Sequence, residues 1–332
     1  MKEQLYVEAI NDAIFEEMRR DKTVIVIGQS VKHSLFGTTV KLFDEFGKDR
    51  VIETPISEAG YVGAGLGTAI SGFRPVVELL NVSYTFLSVD QVLNQIAKTS
   101  YKTGGQLRAP LVLLLGYGQV EGGPQFTQAL YPIYMHVPGL KVAIPSTPAD
   151  AKGLLKTAIR DDNPVAFFHC YGLHKTKGMV PEGDCAVSFS KGNIVQEGKD
   201  LTIVATGLSV HKALAASAKL QKDGYSIEII DPRTLIPLDK TIILDSVAKT
   251  GRLVVVDGSH LTCGAASEIA AIVAEKAFGY LKAPVKRVAA LDIPLAASRL
   301  LQDYIEPNEE RIIRVVQEVI SEGRMAPGVM KG

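Results

Sequence analysis

Short apolar runs alternating with amphipathic segments of helical length constrain this chain more than any other feature. The run Thr23-Val-Ile-Val-Ile27 ends at Gly28 and follows a segment in which Tyr6, Ile10, Ile14 and Met18 recur at helical spacing. An apolar run with no polar alternation suits a strand covered on both faces, and strands separated by helices imply a parallel sheet. Further strands are expected at 51–53, 75–79, 111–115, 141–144 and 165–168, with helices at 40–46, 63–70, 87–98 and 149–160. The last of these begins Thr147-Pro-Ala-Asp150, a capping start with proline in the first turn. From 178 to 200 the composition shifts to Gly, Pro, Lys and Asp with weak periodicity, which reads as a connection. A second series follows, with strands at 201–205, 226–230, 252–256 and 285–291, helices at 210–222, 239–248 and 265–278, and a final helix through 311–320. The expected fold class is α/β, with two parallel-sheet domains over 1–178 and 201–332 and a linker over 179–200.

Composition narrows the function. The 332 residues hold 36 Lys+Arg and 36 Asp+Glu, a balance that argues against nucleic-acid or anionic-membrane partners, which need a basic excess. With 46% hydrophobic and 22% charged residues, disorder is excluded, and no apolar stretch approaches the length of a membrane span. Cys170, Cys185 and Cys263 are odd in number and widely spaced, which fits a reducing compartment. The first residues lack the apolar core of a signal peptide, so a cytoplasmic location is expected.

Three constellations could carry chemistry. Thr54-Pro-Ile-Ser-Glu-Ala-Gly60 places an acid at the carboxyl end of a strand, where open α/β sheets bind ligands. A bland alternative is that Glu58 only complements the positive end of the next helix. Gly63-Ala-Gly65-Leu-Gly67 superficially suggests dinucleotide binding, but lacks the GxGxxG spacing directly after a first strand, and close helix packing explains it better. The glycine-rich segment from Gly116 to Gln128 forms a long loop at the same sheet edge as Glu58. The six histidines show no metal-ligand spacing; His169 and His174 fit a surface or interface as well as proton transfer.

Longer stretches carry a resemblance. Thr54-Pro-Ile-Ser-Glu58, Phe73-Arg-Pro-Val-Val-Glu78, Asp90-Gln-Val-Leu-Asn94, His136-Val-Pro-Gly-Leu-Lys141, Pro145-Ser-Thr-Pro-Ala-Asp-Ala-Lys-Gly153 and Ile230-Asp-Pro-Arg-Thr-Leu235 occur in order along the chain. Together they resemble the beta subunit of the thiamin-diphosphate-dependent decarboxylating component of 2-oxo acid dehydrogenase complexes, within the transketolase superfamily. The resemblance implies a pyrimidine-binding domain followed by a transketolase C-terminal domain. It gives Glu58 the role of bonding a ring nitrogen of the cofactor's aminopyrimidine, which promotes the imino tautomer needed to deprotonate the thiazolium. It places Tyr84 stacked on the pyrimidine, Ile56 beside the cofactor, and Leu87 where a glutamine is common. The Asp161–Asn163 turn matches a region that holds potassium through backbone oxygens in some relatives, so Ala158, Asp161 and Asn163 are candidate ligands.

What is missing and what is changed also inform. No Gly-Asp-Gly motif for magnesium and diphosphate is present, which implies an alpha subunit carrying that motif in an α2β2 assembly. Where most relatives have Gln-His-Ser-Gln, this chain has Gln125-Phe-Thr-Gln128, so Phe126 stands in place of a proton carrier. Gly28-Gln-Ser30 loses two acids of an early Gly-Glu-Asp, and His169 replaces a glutamate. Gln125, Phe126 and His169 are therefore candidate substrate-pocket residues. The expected function is decarboxylation of a 2-oxo acid, or cleavage of a related ketone, with transfer of the acyl group to a lipoyl acyltransferase or carrier protein. Alternatives are a split transketolase-like or acyloin-type two-carbon transferase acting on a ketose, and a non-catalytic structural or regulatory subunit.

Overall fold

In the computed structural model, which describes residues 1–118 and 122–322, the apolar runs become the interiors of two sheets. The chain divides into two units, Met1–Lys191 with Arg233–Pro237, and Gly192–Pro232 with Leu238 onward. The centre of the glycine-rich loop, 119–121, and the end of the expected second domain, 323–332, lie outside the described residues.

The first unit holds a seven-stranded sheet whose order is Thr234–Ile236, Lys141–Ala143, Val165–Cys170, Val112–Tyr117, Arg74–Asn81, Val24–Gly28, Val51–Glu53. Every neighbouring pair is parallel except the first, where Thr234–Ile236 runs antiparallel to Lys141–Ala143. That strand was not expected: it comes from sequence far beyond the rest of the sheet and is too short to show a pattern. Strands Val24–Gly28 and Val165–Cys170 are buried at every position, as their unbroken apolar sequences require. Helix Tyr6–Arg20 buries Tyr6, Ala9, Ile10, Ala13, Ile14 and Met18, the face read from its spacing. Helix Pro148–Arg160 starts as expected, with the Thr147 hydroxyl accepting from the Asp150 amide at 3.1 Å.

Some elements differ from expectation. The expected linker 179–200 begins inside strand Lys177–Val180, which pairs with Lys2–Leu5, and contains strand Asn193–Gln196, an antiparallel edge of the second sheet. All four residues of that edge strand are half-buried, so it carries no apolar signature. The expected helix 87–98 is replaced by a 3₁₀ segment, Val82–Ser88, and a π-helical turn, Gln91–Ile96. The helix near Glu58 starts earlier than expected and spans Glu58–Ile70. In its glycine pattern the close approach falls on Gly65, where a Cβ would lie 2.7 Å from Val77 Cγ2, while Gly67 has open space around it.

The second unit has a five-stranded sheet, Lys286–Ala290, Leu253–His260, Leu201–Ala205, Ile227–Asp231, Asn193–Gln196. Helices Leu208–Lys222 and Glu309–Glu322 cover one apolar layer and Lys240–Thr250 and Ala265–Lys276 the other. No helix among the described residues is long and apolar enough to cross a membrane.

Candidate active site

Parallel register places the carboxyl ends of the first unit's strands along one edge. Gly28 pairs with Glu53 and Glu78, Asn81 with Gly116, and Gly116 with His169. The segments that leave this edge carry the residues expected to act: 54–58 after Glu53, 81–84 after Leu80, and the glycine-rich loop after Tyr117. Ligands of open α/β sheets bind at such an edge.

Glu58 is the first residue of its helix and only 4% exposed. No described residue donates a hydrogen bond to its carboxylate. Its neighbour Tyr61 is also buried, with a hydroxyl that finds no partner; burial, then the charge of Glu58, pushes that phenol far above its ordinary range. A buried acid beside a buried unpartnered hydroxyl is costly unless something else binds there. Tyr84 is half-buried and meets the half-buried Phe126 ring edge-on, with centroids 5.9 Å apart. The Phe126 carbonyl accepts from Asn81 Nδ2 at 2.9 Å, which ties the loop to the strand end. Ile56 and Leu87 are strongly exposed, and Gln125 is exposed beside Phe126. The structure thus brings Tyr84 and Phe126 into contact and leaves Ile56 and Leu87 open at the surface.

Residues not singled out for a role in the sequence contribute as much. Glu78 is 2% exposed inside an apolar strand, with Thr38 Oγ1 donating to Oε2 at 2.8 Å and the Leu80 amide to Oε1 at 3.0 Å. Burial raises its carboxyl to about 7 despite those two bonds. Leu80 has a φ of +51°, a region where a non-glycine residue costs on the order of 1–3 kcal/mol. Its carbonyl accepts from the Tyr171 hydroxyl at 2.5 Å. An acid within the run Pro-Val-Val-Glu-Leu-Leu was the available signal for Glu78; nothing local announced Tyr171.

His169 is fully buried at its strand end, not a surface residue. Its Nδ1 lies 2.9 Å from His174 Nε2 with the rings stacked, and its Nε2 has no partner. Burial, reinforced by His174, holds His169 well below the ordinary imidazole range, and burial brings His174 to about 4, so both rings are neutral near pH 7. At the candidate potassium turn two of the chain's own cations contact Asp161, one at its backbone oxygen and one at its carboxylate. Arg74 Nη1 donates to the backbone oxygens of Asp161 at 3.0 Å and Ile159 at 3.3 Å, the Asp161 carboxylate pairs with Lys141, and the Ala158 oxygen accepts from the Asp161 amide at 3.3 Å. Asn163 donates to Asp161 Oδ1 from both its amides. Of the three candidate oxygens, that of Asp161 is thus already met by a guanidinium, which competes with a potassium ion there. No cluster of three or more His, Cys, Asp or Glu able to hold a metal occurs among the described residues.

Comparison with known proteins identifies the family of this fold. The transketolase pyrimidine-binding domain matches residues 2–174, and the transketolase C-terminal domain matches 190–312. The chain is 42% identical to the beta subunit of acetoin:2,6-dichlorophenolindophenol oxidoreductase from Cupriavidus necator, covering 95% of this chain and 97% of that one. It is 38% identical to the 2-oxoisovalerate dehydrogenase beta subunit of Bacillus subtilis, over 95% and 98%, and 40% identical to the pyruvate dehydrogenase E1 beta subunit of Rhizobium meliloti, over 94% and 69%. A split-gene transketolase, solved as an inactive beta4 tetramer, shares the fold with a TM-score of 0.77 at 20% identity, over 96% of this chain and 99% of that one. With both domain models and near full-length relatives in agreement, the chain belongs to the transketolase-type family that contains the beta subunits of 2-oxo acid and acetoin dehydrogenases.

Proposed function

We propose that this chain is the beta subunit of a thiamin-diphosphate-dependent enzyme that decarboxylates a 2-oxo acid, or cleaves a related ketone such as acetoin, and passes the acyl group to a lipoyl acceptor. The observation that carries the reading is the Glu58 carboxylate, buried at a helix start and bonded by no described residue, on the edge that also presents Tyr84. These residues fit an aminopyrimidine: an acid lacking protein donors suits a ring nitrogen, and a half-buried aromatic face suits a flat heterocycle. Thiamin diphosphate, when bound, supplies the carbanion chemistry. Glu58 holds a proton at the pyrimidine nitrogen, Tyr84 fixes the plane of the ring, and Phe126 shields that face from water. Gln125 presents an amide to the substrate side.

The other half of the site belongs to an alpha chain carrying Gly-Asp-Gly, which holds magnesium and diphosphate in an α2β2 assembly. Ile56, Phe86 and Leu87, large apolar residues on the segments that leave this edge, are exposed, which suits burial against such a partner. The test is reconstitution with the alpha chain. Turnover of pyruvate, 2-oxoisovalerate or acetoin with dichlorophenolindophenol should require magnesium, thiamin diphosphate and both chains. Tight cofactor binding by this chain alone would sink the shared-site reading.

A further inference from the structure

We propose that Glu78 and Tyr171 are positioning residues: they clamp the left-handed turn at Leu80 from its two sides and so aim Tyr84 and the Phe126 loop at the pyrimidine face. The inference deepens the reading above and rests on it. Leu80 is 5% exposed and sits at φ +51°, a conformation a buried leucine keeps only where its surroundings hold it. The strand ladder breaks there, with Glu78 paired to Leu114, and the register shifted before Asn81 pairs to Gly116. Both polar groups of Leu80 are taken by side chains: its amide donates to Glu78 Oε1 at 3.0 Å, and its carbonyl accepts from the Tyr171 hydroxyl at 2.5 Å.

The clamp is itself braced. Thr38 Oγ1 donates to the second Glu78 oxygen at 2.8 Å, and the Tyr171 ring packs on Phe36 and edge-on to His169. Gly116 makes room for it: a Cβ there would lie 2.3 Å from both the Leu80 oxygen and the Tyr171 hydroxyl. The residue after Leu80 delivers the result. Asn81 Oδ1 accepts from the Ser83 amide at 3.0 Å and from the Ser83 hydroxyl at 2.8 Å, which starts the segment carrying Tyr84, while Asn81 Nδ2 donates to the Phe126 carbonyl at 2.9 Å. A break in the ladder re-aims the chain that follows it, and here that chain carries the stacking ring. Packing alone would be served as well by apolar side chains, so the buried acid and phenol are explained by what they hold.

The experiment compares Glu78→Leu, Tyr171→Phe and Glu78→Gln in the complex with the alpha chain. Glutamine preserves an acceptor for the Leu80 amide and a group able to bond Thr38. Tyr171→Phe and Glu78→Leu should each raise the thiamin diphosphate concentration for half-maximal activity about tenfold, the worth of one hydrogen bond, with a smaller change in kcat. Glu78→Gln should restore the wild-type value to within about twofold. In the full chain without cofactor, amide exchange over residues 80–84 should accelerate in the first two variants and not in the third. Unchanged half-saturation in Tyr171→Phe overturns the proposal, and that variant decides alone if Glu78→Leu fails to fold. A wild-type complex with no cofactor-dependent turnover would instead overturn the parent reading, a result the variants cannot mimic.

Discussion

Two carboxylates occupy comparable places in the two units and meet opposite fates. Asp257, near the carboxyl end of strand Leu253–His260, is fully buried and saturated with donors: the Thr206 hydroxyl at 3.0 Å, the Ser259 amide and hydroxyl at 3.3 and 2.5 Å, and the Ala266 amide at 3.1 Å. That last donor belongs to the first turn of helix Ala265–Lys276, so the acid also complements the helix end. Glu58 likewise sits at a helix start beyond a strand, yet no described residue donates to its carboxylate. A buried acid whose lone pairs are filled holds the fold together. One whose lone pairs are left open is kept for something that arrives from outside.

The contrast can be broken in several ways. Glu58→Gln should reduce thiamin-dependent turnover of the reconstituted complex by on the order of a hundredfold or more, while the chain's unfolding free energy stays within about 0.5 kcal/mol. Asp257→Ala should do the reverse, costing roughly 2–4 kcal/mol in urea unfolding through its stranded donors, with turnover per folded complex retained. Equal effects of both variants on stability would erase the distinction.

Glu78 and the histidine pair sharpen it through pH. Burial raises Glu78 from 4.5 to about 7, so over that interval the folded chain keeps a proton that the unfolded chain has released. Its contribution to stability is therefore complete below pH 4.5 and lost as pH rises to 7, up to roughly 3 kcal/mol, and Glu78→Gln should remove this slope. His174, lowered from 6.5 to about 4, acts in the other direction: its contribution is complete above pH 6.5 and lost as pH falls toward 4. Urea midpoints of wild type and Glu78→Gln at pH 5 and pH 8 check the sign; parallel profiles would contradict the assignment. The smallest effect is expected at the loop, where Phe126→His should raise 2-oxo acid turnover a few-fold and leave the melting temperature unchanged. Lower turnover would show that the aromatic ring is a tuned part of the site.

Much of this was legible in the sequence. The strands at 24–28, 112–117 and 165–170 lie where unbroken apolar runs place them, because burial on both faces leaves no other use for such runs. Glu58 was legible as an acid between a strand and a helix, but position alone also fitted a helix-end charge, and only the resemblance carried by Thr54-Pro-Ile-Ser-Glu58 singled it out. The clamp was not. Leu80 is an ordinary letter in an apolar run, and its left-handed backbone comes from partners at 78 and 171, one of them distant in sequence. The histidine pair was half legible: the two letters were seen, but their burial depends on the Tyr6 and Tyr171 rings packed around them.

The strand Thr234–Ile236 bears on how the protein is made. It completes the first unit's sheet by covering the edge at Lys141–Ala143, with the Arg233 carbonyl accepting from the Ile144 amide at 2.9 Å and the Arg233 guanidinium 2.7 Å from Asp150. A ribosome delivers Glu58, Tyr84 and Tyr171 long before it delivers residue 233. Until then the first unit has an open edge of the kind that recruits other strands. Folding of this chain is thus interlocked rather than sequential: its first unit closes only after the opening strands of the second have emerged.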